Sequence, residues 1–374
     1  MDNRKTVPAV RMPQPNQELL ALAPFRQGRS EIAGHAQPLK LSANESHHGP
    51  SPRAIEAYRN AAGELFRYPD GAQAELRHAI AEVFDLRADR ILCGNGSDEL
   101  QQLLVRAYVR PGDEIVFSRY SFAMAMVHAV AQGARIVTVD EPKLRPDADQ
   151  LLAAVTAKTR IVMLASPNNP VGQYLPRDEL WRLYRGLPPE VVLIVDSAYA
   201  DFVTADDFDP GASIVDAGPN AVMTRTFSKL YGLAGLRIGW AYAPPNIIDA
   251  VQRIRTPFNA SADAMAAASA AVRDVKYSRK IRDYNRRELD RIAEAVAAGS
   301  KGVEFVPSHA NFYLLRFTDG RHNADGAASW LERNGIIPRP LNAGGPVGCL
   351  RITVGLAEEN DRVLREVADY MMSG

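Results

Sequence analysis

Five short apolar or β-branched runs, at residues 114–117, 134–139, 160–165, 191–195 and 221–224, are separated mostly by helical patterns. Runs joined by helices instead of tight turns belong to crossover units, so the pattern predicts an α/β fold with a largely parallel sheet. In such sheets the active groups collect at the C-terminal ends of the strands. Three loops stand there: SPNNPVG after Ala165, DSAY after VVLIV, and TRTFSK after Thr224. The chain has 374 residues and 46% hydrophobic content, enough for one large domain and a smaller one. From about Val251 the texture changes to Ala-, Arg- and Glu-rich helical sequence, then to alternating runs at 302–306, 312–317 and 349–354. We therefore expect an N-terminal arm over 1–38, a large domain over 53–255, and a smaller α+β domain built from 39–52 and 256–374.

The third loop holds the densest chemistry. VMTRTFSKLYGLAGLRIGW, residues 222–240, runs from a strand into a loop with Ser228, Lys229, Gly232, Gly235, Arg237 and Gly239. Burial and a nearby cation such as Arg237 would lower the lysine's pKa and permit Schiff-base chemistry. Taken alone, a strand-end lysine reads as a solvated flank, so the functional reading depends on partners elsewhere. Asp196 ends an apolar run, where a carboxylate is costly to bury unless something cationic meets it. Farther upstream, CGNGSDEL passes from strand through small residues into a helix with Gly96, Ser97 and Asp98 at its start. That junction offers free N–H groups to a phosphate, and it is equally compatible with an ordinary N-cap.

Lys plus Arg and Asp plus Glu both number 44, so the charge balance favours neither nucleic acid nor an anionic membrane, and no apolar run is long enough to span a bilayer. Cys93 and Cys349 lie far apart, with no metal-ligand spacing and no secretory segment upstream, which implies reduced thiols in a cytoplasmic protein and no metal. Leu19 to Phe25 gives the arm one short helix. His47 and His48 are adjacent, so in extended chain they point to opposite sides and cannot form a single-face metal pair. RYPDG is a turn by its Pro-Asp-Gly chemistry and carries Tyr68.

A phosphate loop, a strand-end Asp, an Asn-Pro turn, an amine and a trailing Arg form the set that pyridoxal 5'-phosphate chemistry needs. LSANES, GPSP, YPDG, GNGSDEL, SPNNPVG, VDSAY, RTFSKLYGLAGLRIG and LRITVG, in that order from Leu39 to Gly355, resemble the fold-type I aminotransferases, specifically the histidinol-phosphate aminotransferase family. The resemblance implies that Lys229 is the covalent anchor and proton shuttle and that Asp196 pairs with the pyridinium nitrogen. It places Asn169 and Tyr199 on the cofactor's phenolic oxygen, and Gly96, Ser97, Asp98, Ser228 and Arg237 on its phosphate. Phe122 would stack on the ring, Tyr120 being the alternative, and Tyr68 would reach the phosphate of the neighbouring subunit in a homodimer with shared sites. Arg351 would clamp the substrate α-carboxylate and Arg339 the side-chain phosphate. The implied reaction is transamination between histidinol phosphate and 2-oxoglutarate.

Departures from the family pattern bear on the substrate. LAPFRQG places Phe25 where relatives often carry a phosphate-binding tyrosine, and His47 and His48 replace the usual Pro and apolar residues. A more apolar pocket favours a phenyl ring, so an aromatic aminotransferase is the first alternative. A phosphothreonine decarboxylase and a non-catalytic cofactor-binding protein are the others. The short arm lacks the basic helical pattern of a DNA-binding module, and Lys229 is retained.

Overall fold

The computed structural model describes residues 13–20, 22, 29–121, 123–299, 301–341 and 345–373. A seven-stranded sheet dominates, in the spatial order Ile91–Gly94, Gly239–Tyr242, Ala221–Thr226, Val192–Asp196, Thr159–Ala165, Glu114–Ser118 and Arg135–Val139. All neighbouring pairs are parallel except those of Gly239–Tyr242, which runs antiparallel to both its neighbours. The sequence pattern predicts a loop at Gly239. It opens a strand instead, because the turn from Ser228 to Ile238 reverses the chain and lets Gly239 pair with Gly94 and Thr226.

Both faces of the sheet are covered, so its inner strands are buried on both sides and mostly apolar without alternation, while the edge strand Arg135–Val139 leaves Arg135 and Thr138 exposed. Val162, Leu164, Leu193, Val195 and Met223 point into one core, while Ile161, Met163, Ile194 and Val222 point into another. The helix Ala262–Arg273 joins the first core and packs against Pro52–Ala61, whose start is capped by Ser51 Oγ accepting from Ala54 N at 3.2 Å. A four-stranded antiparallel sheet, Arg339–Pro340, Cys349–Thr353, Phe312–Phe317 and Val303–Val306, has its own core with Leu289, Ile292 and Val296. Ile281, earlier on the same long helix Val275–Gly299, belongs to the large core. We therefore propose that the large unit gives way to the small one within that helix, later than residue 256.

Leu39–Lys40 pairs in parallel with Ile336–Ile337 as a separate two-stranded sheet, and Leu41 O then accepts from Thr353 N at 2.9 Å, which ties the following residues to the small sheet. The arm's helix covers Gln17–Leu20; Phe25 and the remainder of the expected helix lie outside the described residues, as does Phe122. Among the described residues no helix is long and apolar enough to cross a membrane, and no group of His, Cys, Asp and Glu has metal-ligand geometry.

Candidate active site

Parallel strands put their C-terminal ends on one edge, and the register fixes which residues meet there. Asp196 is level with Ala165 on one side and Thr224 on the other. Its carboxylate is buried, accepts from Ala198 N at 3.3 Å and from Thr224 Oγ1 at 3.4 Å, and has no cation beside it among the described residues. Burial therefore holds this carboxyl above its ordinary range.

Lys229 follows the next strand and turns inward, its Nζ donating to Ala43 O at 3.1 Å. Burial, then the charges of Arg351 and Arg237, lower its pKa to about 8, against opposing contributions from Glu45 and Asp196. The Tyr199 hydroxyl accepts from Asn44 Nδ2 at 2.9 Å and from Asn169 Nδ2 at 3.3 Å. Asn169 Oδ1 in turn accepts from Arg351 Nη1 at 2.5 Å. Arg351 Nη2 donates to Ser42 O at 2.6 Å, its Nε is buried without a partner, and burial lowers its pKa to about 10.

Three consecutive residues, Ser42, Ala43 and Asn44, thus meet Arg351, Lys229 and Tyr199 in turn. Nothing local in LSANES marks Asn44 for a role. Its left-handed φ of 56° is a conformation that Asn tolerates better than most residues. The structure holds it with Thr353 and Asn311, which sequence separation conceals.

A cradle of donors suited to an anion lies at the other end of the cluster. Gly96 starts the helix Gly96–Tyr108, and a Cβ there would stand 2.6 Å from Arg237 Nη2. A Cβ on Gly239 would stand 2.4 Å from Ser97 N, so glycine is required for the strand to pass under the helix start. Arg237 Nη1 donates to Ser228 Oγ at 3.2 Å. Guanidinium, hydroxyl and the free N–H groups of a helix N-terminus converge there. The Asp98 side chain faces away to His128 at 3.0 Å, which leaves its backbone N–H for an anion.

Arg339 is level with Arg351 on the adjacent antiparallel strand, so the two side chains share a face. Tyr68 stands apart from the cluster: it is 83% exposed and stacks on Phe258 with ring centroids 4.6 Å apart. His47 pairs with Glu359 at 2.7 Å and His48 packs edge-on against Tyr284. Tyr120 packs with Val171, Leu314 and Cys349.

Residues 36–367 match the family described as aminotransferase class I and II. The chain belongs to this family. It is 45% identical over 359 residues to the histidinol-phosphate aminotransferase of Rhodospirillum centenum (strain ATCC 51521 / SW), covering 96% of this chain and 99% of that one. It is 43% identical to the enzyme of the same name from Rhodopseudomonas palustris (strain BisA53), covering 96% and 98%. The structure of histidinol-phosphate aminotransferase from Sinorhizobium meliloti, solved in complex with pyridoxal-5'-phosphate, superposes with a TM-score of 0.89 at 30% identity, covering 97% and 98%. A Thermus thermophilus aspartate aminotransferase, 23% identical with a TM-score of 0.81, shares the fold.

An aminotransferase of this class uses pyridoxal 5'-phosphate, and the donor set here fits that group. A buried carboxylate without a cationic partner suits a pyridinium nitrogen, a lysine with lowered pKa suits an aldehyde, and the cradle of Gly96, Ser228 and Arg237 suits a phosphate.

Proposed function

We propose that this aminotransferase moves the amino group between L-histidinol phosphate and 2-oxoglutarate, giving imidazole-acetol phosphate and L-glutamate in histidine biosynthesis. The observation that carries the substrate is the pairing of Arg339 with Arg351 across adjacent strands. Histidinol phosphate bears its phosphate ester on the carbon that corresponds to the carboxyl carbon of an amino acid. Arg351 then meets a carboxylate in one half-reaction and a phosphate in the other, and Arg339 adds the second cation that a dianion calls for. The relatives named above carry the same activity in their names.

When bound, pyridoxal phosphate supplies an aldehyde carbon for amines and a ring that delocalises the electrons of a breaking Cα–H bond. Lys229 anchors it and carries the proton from the substrate Cα, a task suited to an amine whose pKa lies near 8. Asp196 holds the ring nitrogen protonated, while Asn169 and Tyr199 donate to the phenolic oxygen. The backbone of Gly96, Ser97 and Asp98, with Ser228 and Arg237, holds the phosphate, and Phe122 is assigned to the ring face. Arg351 is oriented in advance by Asn169 and Ser42, which leaves its Nε for the incoming anion.

A homodimer with shared sites is part of the same reading. Leu65, Phe66, Tyr68 and Phe258 are exposed together near the YPDG turn, a patch suited to burial by a second subunit, whose site Tyr68 would enter. The free buried thiols Cys93 and Cys349 support a cytoplasmic location. The deciding experiment is a single-turnover spectrum of the holoenzyme mixed separately with histidinol phosphate and with phenylalanine. Conversion of the visible band at low histidinol phosphate, with a weak response to phenylalanine, is expected; the reverse preference would assign an aromatic aminotransferase.

A further inference from the structure

We propose that Glu141 is a positioning residue that locks the turn carrying Asn169 to the neighbouring strand end across the switch point of the large sheet. Glu141 lies just beyond the strand Arg135–Val139. Its Oε1 accepts from Ser118 Oγ at 2.5 Å and from Tyr120 N at 2.9 Å, and its Oε2 accepts from Asn168 Nδ2 at 2.5 Å. One carboxylate therefore spans the C-terminal ends of three adjacent strands.

The place matters as well as the contacts. After Glu114–Ser118 the chain adds Arg135–Val139 on one side and then returns to add Thr159–Ala165 on the other. At such a reversal the flanking loops diverge and open a crevice, which is where open α/β sheets bind ligands. Glu141 closes the floor of that crevice by joining both of the diverging loops.

From Asn168 the link continues to the site. Asn168 Oδ1 accepts from Gln173 N at 2.8 Å, its N donates to Gln173 O at 2.8 Å, and its O accepts from Gly172 N at 2.8 Å. With Nδ2 on Glu141, every polar group of Asn168 is used, so the turn has one arrangement. Asn169, the next residue, donates to Tyr199 and accepts from Arg351. Glu141 touches none of those groups and acts through the turn.

A carboxylate is an expensive filler. Glu141 is buried, and burial raises its pKa to about 7 in spite of its three bonds. The neighbouring cation, Arg119, pairs with Asp140. An apolar side chain would seal these strand ends at lower desolvation cost, but it could not accept three hydrogen bonds from two loops. Glu114, a second buried carboxylate on the same sheet, stands at the N-terminal end of its strand, where it accepts from Thr156 Oγ1 at 2.6 Å and pairs with Arg135 at 3.4 Å, and among the described residues neither partner belongs to the site. It is the natural control.

Glu141→Gln is nearly isosteric, but its NH2 must face either Asn168 Nδ2 or Tyr120 N, both donors, so at least one bond is lost. The inference rests on the assignment of the site to pyridoxal phosphate, and the wild-type holoenzyme checks that assignment by showing a visible chromophore that titrates with pH. Three variants, Glu141→Gln, Glu141→Asp and Glu114→Gln, are then compared by that titration and by fluorescence titration of apo-protein with pyridoxal phosphate. For Glu141→Gln the midpoint rises by about 0.5–1 unit, the worth of one neutral hydrogen bond to the phenolic oxygen, and the dissociation constant rises about 3–10-fold. Glu141→Asp, which keeps the charge, falls between it and wild type, and is the readout should the glutamine variant not fold. Glu114→Gln lowers thermal stability and leaves the midpoint at its wild-type value. A wild-type midpoint and dissociation constant in folded Glu141→Gln, or an equal shift in Glu114→Gln, would overturn the proposal. A wild type without a titrating chromophore would instead sink the cofactor assignment.

Discussion

Arg351 Nη1 and Asn169 Oδ1 lie 2.5 Å apart, tying an inner strand of the small sheet to the turn that follows the strand Thr159–Ala165. The guanidinium is thereby oriented before any anion arrives. Lysine at this position keeps the charge and loses the fork. For Arg351→Lys we expect kcat/KM for glutamate to fall about 100-fold, mainly through KM, as for one or two lost charge-assisted bonds. Steady-state kinetics giving a loss under about 5-fold would remove Arg351 from the carboxylate clamp.

Lys229 carries a stability cost with a defined pH window. Its folded pKa, about 8, is below its ordinary value of 10.5, so the folded apo-protein binds fewer protons than the unfolded chain between these values. The cost is fully present below pH 8 and fades as pH rises toward 10.5. Apo Lys229→Met is expected to be more stable than wild type at pH 7 by about 2–3 kcal/mol, with the gain shrinking above pH 8, and to have no measurable transaminase activity. Denaturant melts at pH 7 and pH 9.5 check the sign.

Asp196 carries a cost of the same origin, burial, with the opposite pH dependence. Its folded pKa is raised by burial, so stability present below the unfolded value, about 4, is lost as pH rises through the folded one. Asp196→Asn should therefore stabilise the apo-protein at pH 7 while weakening pyridoxal phosphate binding about 100- to 1000-fold, as when one partner of a buried ion pair is removed. Calorimetry of the apo-protein, alongside a cofactor titration, reads both effects; unchanged cofactor affinity would exclude the pairing with the ring nitrogen.

Arg339 should separate substrates. Arg339→Gln is expected to lower kcat/KM for histidinol phosphate about 10- to 100-fold, the worth of one charged contact to a dianion, and to affect phenylalanine several-fold less. Equal losses for both, measured by the same coupled assay, would place the phosphate elsewhere.

Tyr68 tests the shared site. Tyr68→Phe preserves the stacking on Phe258 and removes only the hydroxyl. The variant should keep the sedimentation behaviour of wild type and, on the proposed shared site, release pyridoxal phosphate about 10- to 100-fold more readily, the effect of one hydrogen bond to a charged group. Wild-type cofactor affinity in a dimeric variant would show that the hydroxyl does not reach the phosphate.

Local sequence determined a good deal of this protein. The apolar runs ending at Ala165 and Asp196 read as strands because both sheet faces are covered and every residue in them but Arg160 is buried. Asp196 and Lys229 stand out as candidates because each is an ionisable residue at or just past the end of an apolar strand, and their proposed roles come from the motif set around them. Gly239–Tyr242 was not legible as a strand: it is four residues long and contains glycine, and it exists because its neighbours supply hydrogen-bond partners on both sides. Asn44, Glu141 and the closeness of Arg339 to Arg351 were equally hidden. Their partners lie far away along the chain, so no local period or spacing records them. A sequence displays the residue types and the order of the strands, since both follow from local chemistry. Which Asn orients which Arg, and which carboxylate joins two loops, depends on where separate strands come to rest side by side, and only the tertiary structure decides that.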